Sequence, residues 1–318
     1  MANYKVGDYI RLIRNANDMT QEELAFRAGV ATETISRIEN GKHKITKNVY
    51  RKIMSVFDYF PQQFYGICTD NDIEIMDIKQ AEEDAEVKFE YEAAREYLEI
   101  LRQKAGDTLV NRQYILRAEA VLDCRIGKID VQEMLEKLID ALKLTLNNYE
   151  SILNTGKIYP FTEIEASILM NISDAYGIIE EYECDEKIKR MILKCLEAEY
   201  VDGQGINNLI LAIKRNLGYT LLVQKKYDEA MNFFNRLLLE AKKAKNGIII
   251  SIVLSDIAWT MKKKNQKSEN KVYEDEKIKK ILRQAYYLAA ARNDNFIKDR
   301  IEKTFKTDYN EDIGINGM

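Results

Sequence analysis

Histidine occurs once and proline twice in these 318 residues, tryptophan occurs once, and the four cysteines include no C-x-x-C pair. Each scarcity removes a class of chemistry. One histidine excludes a two-histidine metal motif, and a Ser-His-Asp arrangement would have only His43, beside Gly41 and Lys42, to build on. Cys68, Cys124, Cys184 and Cys195 lie far apart, which argues against a zinc site or a disulfide framework and fits a reducing cytosol. No apolar stretch approaches 18 residues, and no charged start precedes an apolar run, so a soluble, cytoplasmic protein with no membrane role is expected. There is no G-x-x-x-x-G-K-[ST] phosphate loop, and Gly203 and Gly205 in VDGQGINN do not extend to one. The many Asp and Glu residues fall on amphipathic helices as solvated faces. No enzyme activity and no cofactor are expected.

What is present is charge segregation and helical periodicity. Residues 1–66 carry ten Lys and Arg against seven Asp and Glu, a net of +3, which leaves −7 for the remainder of a chain whose total is −4. A mildly basic head on an acidic body suits a protein that touches nucleic acid through its head. Within that head, residues 20–41 read TQEELAFRAGVATETISRIENG. Thr20 and Glu23 form a capping-box pair that opens one helix, with Leu24 and Ala25 pointing inward. Gly29 permits a tight turn, and a second helix from about Thr32 to Asn40 buries Ile35 and Ile38 before Gly41 stops it. Two short helices at this spacing form a helix-turn-helix.

With its flanks, this stretch resembles the Cro/C1 (XRE) family over roughly residues 4–66: the Thr-Gln-Glu-x-Leu-Ala run, the Gly-Val turn and the closing Glu-Asn-Gly are all there. The resemblance implies a five-helix domain, with Pro61 at the start of its last helix. It also implies that Thr32, Glu33, Ser36 and Arg37 face base edges, that Gln21 and Asn40 hold phosphates, and that Arg14 and Glu39 form an internal ion pair. A carboxylate is repelled by phosphate, so Glu33 either accepts from a cytosine amino group or orients Arg37. Ala31 departs from the family's Ser or Thr cap, so the recognition helix begins without a side-chain cap.

Past the head, with only Pro160 to interrupt it, the sequence reads as helix after helix. Residues 216–241, NLGYTLLVQKKYDEAMNFFNRLLLEA, resemble a tetratricopeptide repeat: Leu217 and Gly218 allow close helix approach, Tyr227 begins the second helix, and Ala230 and Phe234 fill the pair. One repeat cannot bury its own apolar face, so neighbours are required. Degenerate copies stand at Asn171-Ile172-Ser173 and Asp256-Ile257-Ala258, and further helices at residues 90–103, 113–125 and 131–145. About five helix pairs between residues 72 and 293 are expected. They would form a right-handed α-solenoid whose first helices line the hollow, giving an all-α protein divided into 1–66, 67–307 and a flexible tail, 308–318. Residues 262–276, KKKNQKSENKVYEDE, are expected to be a mobile loop.

A Cro/C1 head on such a body is similar to the RRNPP group of peptide-pheromone regulators of Gram-positive bacteria. That resemblance implies a homodimeric transcription regulator that binds a pseudo-palindromic operator in double-stranded DNA. Its solenoid would bind a short signalling peptide, in the manner of quorum sensing, with first-helix asparagines gripping the peptide backbone. An Asn amide offers a donor and an acceptor in one plane, which suits a peptide unit of any side chain. Asn171 and Asn216 share one repeat position. On the same stripe lie Met170, Asp174, Arg215, Tyr219, Ser255, Asp256 and Trp259. Arg215 would take a peptide carboxylate, Asp174 or Asp256 an amino terminus or basic side chain, and Tyr219 with Trp259 would wall an apolar pocket. The alternatives are an interaction scaffold whose solenoid docks a protein partner, and a phage or mobile-element repressor with no peptide ligand.

Overall fold

The computed structural model describes residues 6–42, 45, 47–57, 73–147, 149–159, 161–197 and 204–313. These residues form helices and turns with no strand. The head contains α1 (Val6–Ala16), α2 (Gln21–Ala28), α3 (Thr32–Glu39) and α4 (Lys47–Ser55). The fifth helix expected from Pro61, and His43, lie outside the described residues. Ile10, Ile13, Leu24, Ala25, Ile35, Ile38, Ile53 and Met54 make the head's core.

Local chemistry explains where these helices start and stop. The Thr20 hydroxyl accepts from the Glu23 amide at 3.1 Å, whereas the Glu23 carboxylate turns to Arg27 one turn on, so only half of the expected capping box forms. Gly29, at φ 60°, closes α2, and the Val30 amide reaches back to the Ala25 carbonyl. Ala31 makes no side-chain cap to α3. Gly7 sets the closest approach of α1 to the recognition helix, since a Cβ there would lie 1.9 Å from the Ile38 carbonyl oxygen.

The body continues with α5 (Ile73–Val87), α6 (Tyr91–Lys104), α7 (Leu109–Arg125), α8 (Val131–Lys143), α9 (Tyr149–Thr155), α10 (Glu163–Ile178) and α11 (Tyr182–Leu196). It then runs through α12 (Gln204–Val223), α13 (Tyr227–Lys243), α14 (Gly247–Lys267), α15 (Asp275–Ala290) and α16 (Asn295–Tyr309). Pairs α5/α6, α7/α8, α10/α11 and α14/α15 pack against each other, and α12/α13 meet where a Cβ on Gly218 would sit 2.5 Å from the Phe234 ring. Five pairs are therefore present. The turns between helices repeat one device: Phe89, Gly127, Glu180, Lys225, Lys245 and Asn293 adopt positive φ, and the next amide bonds back five residues, as from Lys226 to the Leu221 carbonyl at 3.0 Å. In three of these turns a tyrosine, Tyr91, Tyr182 or Tyr227, opens the following helix.

The chain forms two compact units, Met1–Ile210 and Leu211–Met318. Two expectations about segments of the second unit are corrected. The charged stretch 262–276 is not a free loop: α14 runs to Lys267, and Asn265 accepts from the Val272 and Tyr273 amides at 3.0 and 2.8 Å while donating to the Tyr273 carbonyl at 2.7 Å. One amide side chain that satisfies three backbone groups pins the turn. The tail expected from residue 308 is helical through Tyr309. Beyond it, Glu311 accepts from Lys279 at 2.6 Å and Ile313 packs on the second unit's core. Helix α9 and the segment after it, where Tyr159 and Phe161 are buried beside Cys195, form an insertion between pairs. Among the described residues, Cys124, Cys184 and Cys195 are free thiols, and no helix is long and apolar enough to cross a membrane.

Candidate functional site

In the head, a buried network holds the recognition helix. The Glu39 carboxylate, fully buried, accepts from Arg14 Nε at 2.7 Å and Nη2 at 2.9 Å, and from Gln21 Nε2 at 2.8 Å. Arg14 also donates to the Met19 carbonyl. A bidentate pair with a third donor supplies the hydrogen bonds that a carboxylate buried in the core requires. Through its bond to Glu39 the Gln21 amide braces α2 against α3. Asn40 is likewise engaged, donating to the Ser36 carbonyl at 2.8 Å and accepting from Arg11 at 3.3 Å. Arg11 stood out in no motif. Only its position beside Asn40 shows it as a cation next to the recognition helix's end.

Outward from this network, Glu33 and Arg37 are exposed, while Thr32 and Ser36 are half-buried. No bond joins Glu33 to Arg37 among the described residues, so the arrangement in which Glu33 orients Arg37 is not the one seen. Phe26 on α2 is 87% exposed, the most solvent-facing of the large apolar side chains.

In the first unit's body, Arg117 of α7 collects the expected Asn171. Its Nη1 donates to Asn171 Oδ1 at 3.2 Å and its Nη2 to Glu86 at 3.1 Å, and its guanidinium lies over the Tyr114 ring, 5.5 Å from the centroid. Because arginine only donates, the Asn171 amide oxygen must face it, which turns the amide nitrogen outward. These side chains, with Lys79, Glu83, Glu163, Ile164, Ser167 and Met170, line a cavity of about 140 Å³. Arg117 is only 7% exposed, yet its Nε has no partner among the described residues, and neither does one oxygen of the fully buried Glu82. The Tyr114 hydroxyl donates to the other Glu82 oxygen. Burial, offset in part by Arg117, pushes the Glu82 carboxyl up to about 7. Burial works against the charge on Arg117, but Glu86, with Tyr114 and Glu82, outweighs it and raises the pKa.

The second unit repeats the combination. Arg215 Nη1 donates to Asn216 Oδ1 at 3.3 Å, its guanidinium lies 5.3 Å from the Tyr219 centroid, and Tyr219 stacks on Trp259 at 5.7 Å. Arg215 also grips Asp256 through Nε at 2.8 Å and Nη2 at 3.2 Å, with Asp256 fully buried. The two side chains expected to take opposite peptide termini are thus paired with each other in this structure. Asp174 also faces a protein partner, the buried Lys189 at 2.8 Å, which pairs with Asp185 as well. Asn171 and Asn216 belong to different compact units, each with its own arginine.

Residues 10–61 match the helix-turn-helix family profile, so the head is a DNA-binding helix-turn-helix domain. No curated protein matches the chain. Among solved structures, the chain is similar to Bacillus thuringiensis PlcR in complex with the peptide PapR7 and DNA, at 17% identity and a TM-score of 0.60, covering 94% of this chain and 99% of that one. PlcR in its apo form gives 16% and 0.56, covering 94% and 98%. The competence regulator ComR from Streptococcus vestibularis, in complex with its cognate signalling peptide XIP, gives 12% and 0.51, covering 96% and 99%. At these identities the likeness is one of fold: a helix-turn-helix head followed by an all-α repeat body.

Proposed function

We propose that the protein is a cytoplasmic, homodimeric transcription regulator whose head binds a pseudo-palindromic operator and whose repeat body binds a short signalling peptide that modulates it. The observation that carries the peptide reading is Asn171, its amide oxygen held by Arg117 and its nitrogen presented beside a cavity whose buried Arg117 Nε has no partner among the described residues. Donors fixed in this way suit a peptide carbonyl. PlcR and ComR, whose fold the chain shares, were captured with the peptides PapR7 and XIP, PlcR with DNA as well. In the head, Arg37 and Glu33 extend from a helix whose inner face is locked by Glu39, and side chains so placed can reach base edges.

Calorimetry with a pool of synthetic heptapeptides, run on the parent and on Asn171→Ala/Asn216→Ala protein, tests the first half. Loss of one to two decades in affinity supports it; equal affinity shifts the reading to a scaffold that docks a protein partner. Footprinting tests the second half. Paired half-sites with centres about 34 Å apart, or a multiple of it, are expected, and Arg37→Ala should relax base preference within each. A single unpaired half-site would remove the dimeric operator.

A further inference from the structure

A second cavity, of about 260 Å³, lies wholly within the second unit between α14, α15 and α16. Its floor is apolar, with Ala258, Ile278 and Leu282, and its wall is Trp259. Its charge is lopsided. The Arg300 guanidinium lies 5.6 Å from the Trp259 ring centroid and the Lys263 ammonium 5.7 Å from it, while Lys262 forms an ion pair with Asp308 at the rim. Among the described residues Arg300 meets no carboxylate, so in the cavity's lining the one anion, Asp308, stands against two cations, Lys262 and Arg300. Arginine spread on an aromatic face keeps its edge donors available, and that edge matches a carboxylate. Arg215, the residue whose sequence position suggested this task, is already paired with the buried Asp256.

We infer that this cavity binds a carboxylate carried on an apolar body: the C-terminal residue of a peptide, with its side chain on Ile278 and Leu282 and its carboxylate against Arg300. The volume holds about one large residue, below the usual range for a drug-sized ligand. Identification of the acid as a peptide end rests on the peptide reading above; the pocket itself does not.

Trp259 is the chain's only tryptophan among nineteen tyrosines, so emission excited beyond the tyrosine absorption band reports this wall. The full-length protein is titrated with acetyl-leucyl-phenylalanine as the free acid and as the C-terminal amide, and with octanoate. The free acid is expected to change the emission saturably, the amide to bind at least tenfold more weakly, and high salt to weaken the acid alone. Arg300→Ala should bring the acid down to the level of the amide, with Arg300→Lys in between. Octanoate that binds as tightly as the peptide acid names a free apolar acid as the source, and weaker octanoate names a peptide end; both support the pocket. Equal binding of acid and amide, unchanged affinity in Arg300→Ala, or no saturable change up to millimolar ligand overturns it. If Arg300→Ala fails to fold by circular dichroism, Arg300→Lys and the acid-amide comparison decide. Failure here with Asn171-dependent calorimetry intact removes the pocket and leaves the peptide reading standing; the reverse result removes the asparagines and keeps the pocket.

Discussion

The two compact units each gather an arginine, an asparagine, a tyrosine and a carboxylate, but they balance them differently. In the second unit Arg215 meets Asp256 through two hydrogen bonds, and the ring of Tyr219 is braced by Trp259. In the first, Arg117 is more deeply buried, divides its bonds between Glu86 and Asn171, and leaves Nε without a partner among the described residues beside Glu82, whose carboxyl burial pushes up to about 7. The same side chains thus make a brace in one place and an incomplete, receptive cluster in the other. What separates them is whether a carboxylate meets the guanidinium fork squarely.

The largest expected effect breaks the brace. Arg215→Met strands the buried Asp256 charge and should destabilise the second unit by about 3–5 kcal/mol, most of it recovered in Arg215→Met/Asp256→Leu. Arg117→Met should cost less, about 1–3 kcal/mol, because Glu86 is partly hydrated and Glu82 can take up a proton. Hydrogen exchange reads the units separately, and equal losses would erase the distinction.

The next effect is pH. The folded Glu82 pKa, about 7, is raised above the unfolded value near 4.5, so its contribution is fully present below 4.5 and lost as pH rises through 7. Tyr114, Arg117, Glu83 and Glu86 are the groups that face it. First-unit stability should fall by about 2–3 kcal/mol between pH 4.5 and 8, and Glu82→Gln should flatten that slope without altering the second unit's. A third expectation sharpens the contrast in binding: Asn171→Ala alone should account for most of the double mutant's loss, about 1–2 kcal/mol by calorimetry, and Asn216→Ala for little. Smallest are the turns. Glu180→Gly and Lys225→Gly, one per unit and both at positive φ, should each stabilise by about 1 kcal/mol in urea titrations, a matched pair showing that the units differ in their clusters and not in their scaffold.

Much of this was legible in the sequence, and the rest was hidden for identifiable reasons. The helix-turn-helix marks and the Gly218–Phe234 contact are local patterns, with each residue's partner at a fixed spacing. The repeated turns were not legible, since Phe89-Glu90-Tyr91, Glu180-Glu181-Tyr182 and Lys225-Lys226-Tyr227 share only the tyrosine and none has glycine at the positive-φ position. The Arg215–Asp256 and Arg117–Asn171 bonds span 41 and 54 residues, so spacing could nominate Asn171, Asn216 and Trp259 but not say which charges were already paired. The Asn265 clamp defeated composition for a similar reason: a polar, charged stretch looks solvated until one side chain is seen to hold its backbone.

The Glu39 network separates what holds α3 in place from what α3 shows to solvent. Gly7, Arg14 and Gln21 fix α3 entirely from its inner side, through a main-chain approach and a buried carboxylate. Glu33 and Arg37 contribute nothing to that anchorage, and Thr32 and Ser36 are not among its bonds. Substitutions at the exposed Glu33 and Arg37 therefore leave that anchorage intact, and if these side chains read bases as proposed, part of the helical face can be rewritten without rebuilding the domain beneath it.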